Sequence, residues 1–268
     1  MSILSEVPSE AKIKALVRQI VFGKRLKCPH CNSFNIRRTE CRFYCKKCRR
    51  KFSLISASWL SGMRISYSQL WILIACWQKR LSVLAAEELA GVSHVTVRRW
   101  YRRFRNNLPY QRDDKLWGHV EIDEAFIGKR KTGNQRIVIG AYERSTGNIR
   151  LNIIPNRSEE TTDNFILKNV KTKSTVYTDA WSSYAGIDHF FGYKHEVCNH
   201  SQYVFGPTNR IESIWSSLKR FIRRTYQQVR AYWLPFLLQE YEARVNEPEL
   251  FSSPFNFLNH SLLFQHVS

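Results

Sequence analysis

Two pairs of cysteines place four identical ligands at a spacing that suits one metal ion. Two residues separate the members of each pair and thirteen separate the pairs, in a markedly basic stretch: Cys28, Cys31, Cys45 and Cys48. Thiolates from two such knuckles can surround one Zn²⁺ tetrahedrally. The sequence therefore predicts a structural zinc ribbon over residues 24–56. Two disulfides are the alternative, which the odd total of seven cysteines and the lack of a secretory-type N-terminal segment both disfavour.

Three carboxylates stand where folding does not require them: Asp123, Asp179 and Glu212. Asp123 lies in a strand-like segment that carries three acidic residues within four positions. This composition is unfavourable, because Asp is depleted in strands and like charges repel. Such a local violation indicates that a cation has to be held. Since side chains alternate along a strand, Glu121 shares the face of Asp123 and Glu124 faces the other way.

Each carboxylate also has a structural explanation. Asp123 could decorate an edge strand, and Asp179 could cap a helix that follows its strand. Asn209 and Glu212 have the spacing of a capping box, in which Asn209 is the N-cap. Lys219 follows Glu212 by seven residues and lies on the same helical face two turns away. There its ammonium group could hold a phosphate or remain solvated.

Candidate DNA-binding residues lie in the helical region 66–106. Leu84–Ala90, Gly91–Ser93 and His94–Arg105 have the pattern of a helix, a tight turn and a helix, because Gly91 suits a left-handed corner and Ser93 an N-cap. This pattern resembles a helix-turn-helix, with an ordinary solvated basic helix as the alternative. Three arginines share the face opposite the apolar stripe, where they can reach phosphates or guanine edges: Arg98, Arg102 and Arg105.

Basic charge is concentrated in the N-terminal part of the chain. Residues 1–112 contain 23 of the 42 Lys and Arg residues but only 5 of the 22 Asp and Glu residues. This asymmetry indicates a polyanion such as DNA as the partner of that part. The apolar run 71–77 is far shorter than the ~20 residues that span a bilayer. We therefore expect a soluble, cytoplasmic, nucleoid-associated protein with no membrane partner.

Residues 117–250 alternate between strand and helix patterns. His119–Ile127, Arg136–Tyr142 and Ile149–Ile154 predict an antiparallel meander, because the segments between them have turn composition. The remaining predicted elements are a helix at Ser158–Val170, a strand at Thr175–Asp179, a short helix at Trp181–Ile187, a strand at His195–Cys198, and helices at Asn209–Arg224 and Arg230–Val245. This order is that of a ribonuclease-H-like α/β domain.

The chain of 268 residues is long enough for about two domains. The predicted fold class is α+β. In chain order, the predicted parts are an N-terminal helix at 1–23, the zinc ribbon at 24–56, the helix-turn-helix region at 66–106, a ribonuclease-H-like domain at 117–250 and a C-terminal tail at 251–268.

Four segments together resemble one family of insertion-sequence transposases. They are residues 120–128, 177–181, 199–201 and 208–219. Their residue types and order are similar to those of the bacterial DDE transposases with an N-terminal zinc ribbon, which are related to the eukaryotic Merlin transposases. The resemblance covers nearly the whole chain. The sequence departs from the family at residues 56–62, where a Thr-Gly-Thr-like stretch is expected, and at Pro207, where a histidine is usual.

The resemblance implies a DDE integrase-type catalytic domain in which Asp123, Asp179, Glu212 and Lys219 are catalytic. The family motif also matches at His200, whose side chain would orient phosphate or the carboxylates. Oxygen ligands suit Mg²⁺ or Mn²⁺. Two such ions about 3.5–4 Å apart would activate the attacking hydroxyl and stabilise the leaving oxygen, with Asp123 bridging them and Asp179 and Glu212 holding one each.

The expected partner is double-stranded DNA, as terminal inverted repeats bound by the ribbon and helix-turn-helix, and as target DNA. Synapsis of two ends predicts a homo-oligomer on DNA. Two other functions remain compatible with the sequence. A zinc-dependent transcriptional regulator would bind DNA without catalysis or a divalent-metal requirement. A structure-specific nuclease on the same fold would cleave DNA without transferring strands.

Overall fold

The computed structural model describes residues 7–39, 42–56, 58–112, 114–179, 192–198, 208–227 and 229–264. The chain divides into two units, residues 1–109 together with 249–268, and residues 110–248.

The first unit begins with helix α1 (Glu10–Phe22) and a small antiparallel sheet. Its strands are β1 (Ile36–Arg38), β2 (Phe43–Cys45) and β3 (Lys51–Phe52). All three strands lie within the predicted ribbon, and β3 is too short to give a sequence pattern of its own. The buried ring of Phe52 packs against Phe22 and Phe43, with ring centroids 6.2 and 5.5 Å away. The small sheet is thereby attached to the helix before it.

Three helices follow in this unit: α2 (Tyr67–Gln78), α3 (Val83–Ala90) and α4 (His94–Asn106). Gly91 adopts the left-handed conformation, with φ 60° and ψ 40°, and the side chain of Ser93 accepts the N–H of Thr96 at the start of α4. The predicted helix, turn and helix are therefore confirmed. The predicted apolar stripe of α4 is also buried, and it consists of Val97, Trp100, Tyr101 and Phe104.

The second unit is built on a five-stranded sheet. Its strands are β4 (His119–Ile127), β5 (Arg136–Glu143), β6 (Ile149–Ile154), β7 (Thr175–Asp179) and β8 (Lys194–Cys198), in the spatial order β6-β5-β4-β7-β8. The first three form the predicted antiparallel meander, and β7 and β8 run parallel to β4. This arrangement is ribonuclease-H-like and confirms the predicted fold class.

Helices cover both faces of this sheet. Helix α5 (Glu159–Asn169) packs Phe165 and Ile166 onto one face, where Val120, Ile122 and Val176 are buried. Helices α6 (Asn209–Tyr226) and α7 (Leu234–Asn246) cover the other face. The predicted short helix at residues 181–187 lies outside the described residues. The strands β4, β5 and β6 are thus held between two apolar layers.

The expected C-terminal tail over residues 251–268 is corrected by the structure. A helix, α8 (Pro254–Phe264), forms there and belongs to the first unit. Its Phe257 is fully buried, with ring centroids 5.1 Å from Trp77 and 5.7 Å from Phe104. The partners of this helix are more than 150 positions away in the sequence, which is why local composition does not reveal its role. In the described part of the chain, no helix combines the length and apolarity needed to cross a bilayer.

A buried carboxylate joins α7 to the sheet. Glu242 is fully buried and accepts hydrogen bonds from Arg112, from the hydroxyl of Tyr110 and from the N–H of Leu151, at 2.6–2.9 Å. The Arg150 guanidinium lies 3.7 Å from the same carboxylate. Two arginine side chains, one hydroxyl group and one backbone N–H group therefore share the carboxylate of Glu242 as their partner.

Replacing this carboxylate should strongly destabilise the second unit. We expect Glu242→Ala to lower the free energy of unfolding by about 3–5 kcal/mol, because it removes a charge partner of the buried Arg150 and the acceptor of two buried donors. Urea unfolding followed by tryptophan fluorescence measures the change. Glu247→Ala, at an exposed position near the end of the same helix, is the matched control and should stay near wild type. A loss below about 1 kcal/mol for Glu242→Ala contradicts the assignment.

Candidate functional site

The four ribbon cysteines lie together in the structure. Their sulfurs are all within 4.8 Å of one another, with 3.6 Å between Cys28 and Cys48 and 3.5 Å between Cys31 and Cys45. Tetrahedral Zn²⁺ with Zn–S bonds of about 2.3 Å requires sulfurs about 3.8 Å apart, so the donor set fits. All four thiols are free, which excludes the disulfide alternative in this structure.

The two cysteine knuckles have the same backbone geometry. The N–H of Asn32 bonds the carbonyl of Cys28 at 2.9 Å, and the N–H of Arg49 bonds the carbonyl of Cys45 at 2.8 Å. Asn32 and Arg49 have φ values of 55° and 58°, in the left-handed region. Two equivalent turns thus present two sulfurs each, as a zinc ribbon requires.

The carboxylate of Asp123 lies beside that of Asp179. Glu121 pairs with Tyr177 where β4 and β7 run parallel, so Asp123 and Asp179 follow two residues further along each strand. Burial raises the pKa of Asp123 to about 6, and the charges of Glu124 and Asp179 act in the same direction. This dependence on Asp179 agrees with the register. Two acidic groups therefore meet on one face of the sheet.

Trp215, from the middle of α6, reaches across to Asp123. Its indole N–H donates to the Oδ2 atom of Asp123 at 2.9 Å, and this bond opposes the rise in the pKa of Asp123. Gly140 faces Asp123 on β5, and a Cβ atom there would lie 2.5 Å from the Trp215 ring. The glycine therefore makes room for the indole.

Glu212 lies in the first turn of α6. The helix begins after Thr208, whose side chain makes no cap hydrogen bond. The capping-box interpretation of Asn209 and Glu212 is therefore wrong. Instead, Oε2 of Glu121 accepts the N–H groups of Arg210 and Ile211 at 3.0 and 3.1 Å. The strand that carries Asp123 thus supplies the cap of the helix that carries Glu212.

The side chains of Glu212 and Lys219 are exposed, as expected for residues that meet a ligand. Among the described residues, only the four cysteines form a metal-binding group with all ligand atoms within 4.8 Å. The set of Asp123, Asp179 and Glu212 is therefore more widely spaced. His200 lies outside the described residues.

The carboxylates fall within a region that matches a known family. Residues 115–246 match the family model of the ISXO2-like transposase domain. No curated protein matches the chain. Among solved structures, the catalytic core domain of BIV integrase is similar, with a TM-score of 0.36 and 13% identity, covering 48% of this chain and 83% of that one.

The second unit is an insertion-sequence DDE transposase domain.

The first unit of this transposase carries the predicted DNA-binding arginines, and these are not equally accessible. Arg98 and Arg102 are exposed on α4, whereas Arg105 is half-buried. Arg103, which the sequence does not single out, donates to the backbone carbonyls of Trp59 and Ser61 and stacks on Trp100. Arg103 therefore holds α4 against the preceding segment.

Two residues near the transposase carboxylates were not identified from sequence. The sequence places Glu121 on the strand face of Asp123 and Trp215 within the predicted helix Asn209–Arg224, but it indicates no contact for either residue. A weak signal existed for Trp215, because a buried indole N–H needs an acceptor. No local signal existed for Glu121, whose helix N–H donors lie 89 and 90 positions away.

Zinc removal should unfold the ribbon. We expect about one zinc ion per chain, and Cys31→Ala should lose it because three thiolates hold zinc less tightly than four. Zinc content by atomic absorption, with the far-ultraviolet circular dichroism of the chelated protein, measures both effects. Cys76→Ala, which replaces a buried cysteine of α2, is the control and should keep its zinc. Full zinc retention by Cys31→Ala contradicts the site.

Divalent-metal binding should weaken below about pH 6. The raised pKa of Asp123 means that a proton competes with the cation at a pH where an ordinary aspartate is already ionised. The Mn²⁺ affinity of the DNA-free protein should fall as pH drops from 6 to 5 and be constant above 7. Calorimetric titration measures this dependence. An affinity that stays constant down to pH 5 would refute it.

Proposed function

We propose that this transposase cleaves DNA at the ends of its element and joins those ends to target DNA. The observation that carries the proposal is the position of the three carboxylates. Asp123 and Asp179 lie on adjacent strands, and Glu212 lies in the first turn of a helix that the same sheet caps. This arrangement supports the proposal that three acidic groups distant in sequence act together at one end of the domain.

Asp123, Asp179 and Glu212 would hold Mg²⁺ or Mn²⁺. The donor set consists of oxygens, which these ions prefer. Within the described residues, Asp123 has no basic side chain as a partner, whereas Glu121 and Glu124 each have one. The ions would supply an activated attacking oxygen and stabilise the leaving oxygen. His200 is proposed to orient phosphate or the carboxylates, as the resemblance implies.

The exposed face of α6 offers a path for the DNA backbone. Lys219, Arg220 and Arg223 are exposed and follow Glu212 on the same side of the helix. Lys219 lies about 10 Å along the helix axis from Glu212, close to two turns. We propose that Lys219 holds the phosphate next to the scissile bond, with the two arginines binding phosphates further along.

The zinc ribbon and α4 are proposed to recognise the terminal inverted repeats. Arg98 and Arg102 would contact phosphates or guanine edges, whereas Arg105, being half-buried, contributes less. Because two ends must be joined to one target, the active form is proposed to be a homo-oligomer on DNA.

An assay that follows binding, cleavage and joining separately tests the proposal. Asp179→Ala should abolish cleavage and joining in Mg²⁺ but leave binding to the ends intact, since the repeats contact the first unit. Labelled donor ends and supercoiled target DNA report all three steps in one reaction. Asp114→Ala is the matched control, because Asp114 is an aspartate of the same unit whose side chain is 89% exposed.

The same assay separates the alternatives. Binding without any metal-dependent product identifies a transcriptional regulator. Cleavage without joining identifies a nuclease. Normal joining by Asp179→Ala would show that the reaction does not require Asp179 and would contradict the proposed site.

A further inference from the structure

One layer of contacts joins the three chain segments that carry the carboxylates, at the level two residues before each carboxylate. Glu121 precedes Asp123 by two residues, Tyr177 precedes Asp179 by two, and Arg210 precedes Glu212 by two. On a strand, a residue two positions away lies on the same face. Glu121 and Tyr177 therefore lie on the same side of the sheet as Asp123 and Asp179. The contacts of Arg210 extend this layer to the start of α6.

Glu121 is the centre of this layer. Its side chain is 2% exposed. Oε2 accepts the N–H groups of Arg210 and Ile211, and Oε1 accepts the Nε–H of Arg144 at 2.8 Å. A buried carboxylate with three donors on its two oxygens is already neutralised. It therefore has little capacity left for a metal ion.

Arg144 extends the layer to the strand of Asp179. Its guanidinium lies 3.9 Å from the ring centroid of Tyr177. The hydroxyl of Tyr177 is 2.9 Å from Nδ1 of His119, at the start of β4. Tyr177 thus contacts the strand of Asp123 directly as well as through Arg144 and Glu121.

Arg210 completes the layer on the side of α6. Its backbone N–H is bound by Glu121, and its guanidinium donates to the hydroxyl of Tyr142 at 3.4 Å. Tyr142 lies opposite Glu121 on β5. The start of α6 is therefore attached to two strands at the level just behind the carboxylates. We call Glu121, Arg144, Tyr177 and the N–H groups of Arg210 and Ile211 the Glu121 clamp.

We propose that Glu121 is a positioning residue that sets the distance between Glu212 and the Asp123–Asp179 pair through this clamp. The inference rests on the proposed function, because it concerns how the proposed metal ligands are held. Helix N-termini accept carboxylates favourably, since their first N–H groups have no partner within the helix. Here the carboxylate comes from the strand of one ligand and binds the helix of another, so the bond fixes their relative position.

Glu124 gives a matched comparison on the same strand. Its carboxylate is also buried, with a side chain 1% exposed, and is bound by Arg157 at 2.8 Å. Arg157 lies before α5, on the opposite face of the sheet from α6. The two residues thus offer the same chemistry and burial, but Glu121 binds the N-terminus of the helix that carries Glu212, whereas Glu124 binds Arg157 on the other face.

The test compares Glu121→Gln with Glu124→Gln. Gln at position 121 keeps the shape of Glu but presents an amide N–H₂ group to Arg144 or to the helix N–H groups. We expect Glu121→Gln to weaken Mn²⁺ binding at pH 8 by about 10–100-fold, the usual effect of losing a residue that orients metal ligands. It should lower kcat for end cleavage without changing KM for DNA. Glu124→Gln should change the Mn²⁺ affinity by less than about twofold.

Thermal unfolding of both variants separates positioning from stability. Equal losses of Tm and unchanged Mn²⁺ affinity in both variants overturn the inference. If Glu121→Gln does not fold, Arg144→Gln replaces it, because Arg144 is partly exposed at the end of β5. A folded Arg144→Gln with wild-type Mn²⁺ affinity and kcat also overturns the inference.

Asp123→Asn distinguishes failure of the inference from failure of the proposed function. If Asp123→Asn loses Mn²⁺ binding and cleavage while Glu121→Gln behaves like Glu124→Gln, only the positioning role fails. If Asp123→Asn retains both activities, the proposed site itself fails.

Discussion

The arrangement of the transposase domain depends on how the N-terminus of α6 meets β4. A helix start leaves several N–H groups without partners, and a buried one must be satisfied. Glu121 satisfies two of them, and one turn later Trp215 bonds Asp123. These contacts lie on either side of Glu212. If α6 shifted along its axis or rotated about it, the contacts with Glu121 and Asp123 would be lost. The strand β4 therefore fixes both the axial position and the rotation of the helix.

The net charge of the C-terminal part conceals a basic surface. Residues 113–268 carry nearly equal numbers of basic and acidic residues, yet several of the acidic ones are buried, including Glu121, Glu143, Glu240 and Glu242. These carboxylates are bound within the domain by arginine side chains, hydroxyl groups and backbone N–H groups. Many of the basic residues remain exposed: Lys129, Arg130, Lys131, Arg136, Lys219, Arg220, Arg223 and Arg224. The exposed surface of this part is thus more positive than its composition indicates.

The fold was largely predictable, because each strand of the large sheet has an apolar pattern between turn-forming segments. Asp123 was also visible, since acidic residues are unfavourable inside a strand. What sequence could not give was long-range pairing. The N–H groups bound by Glu121 belong to residues 210 and 211, and the aromatic partners of α8 lie near residues 77 and 104. The strand Lys51–Phe52 was too short for any periodicity.

The three acidic residues of β4 show how a strand can tolerate a composition that disfavours it. Glu124 is neutralised by Arg157 on one face, and Glu121 by Arg144 and a helix N-terminus on the other. Among the described residues, the hydrogen-bond donors to Asp123 are neutral, the indole of Trp215 and the N–H of Glu124, and burial keeps its pKa high. The strand thus compensates the charges of Glu121 and Glu124 within the domain, which leaves Asp123 as the carboxylate that we propose for cation binding. Because Asp123 lies between the other two, the residues that stabilise them also hold it in place.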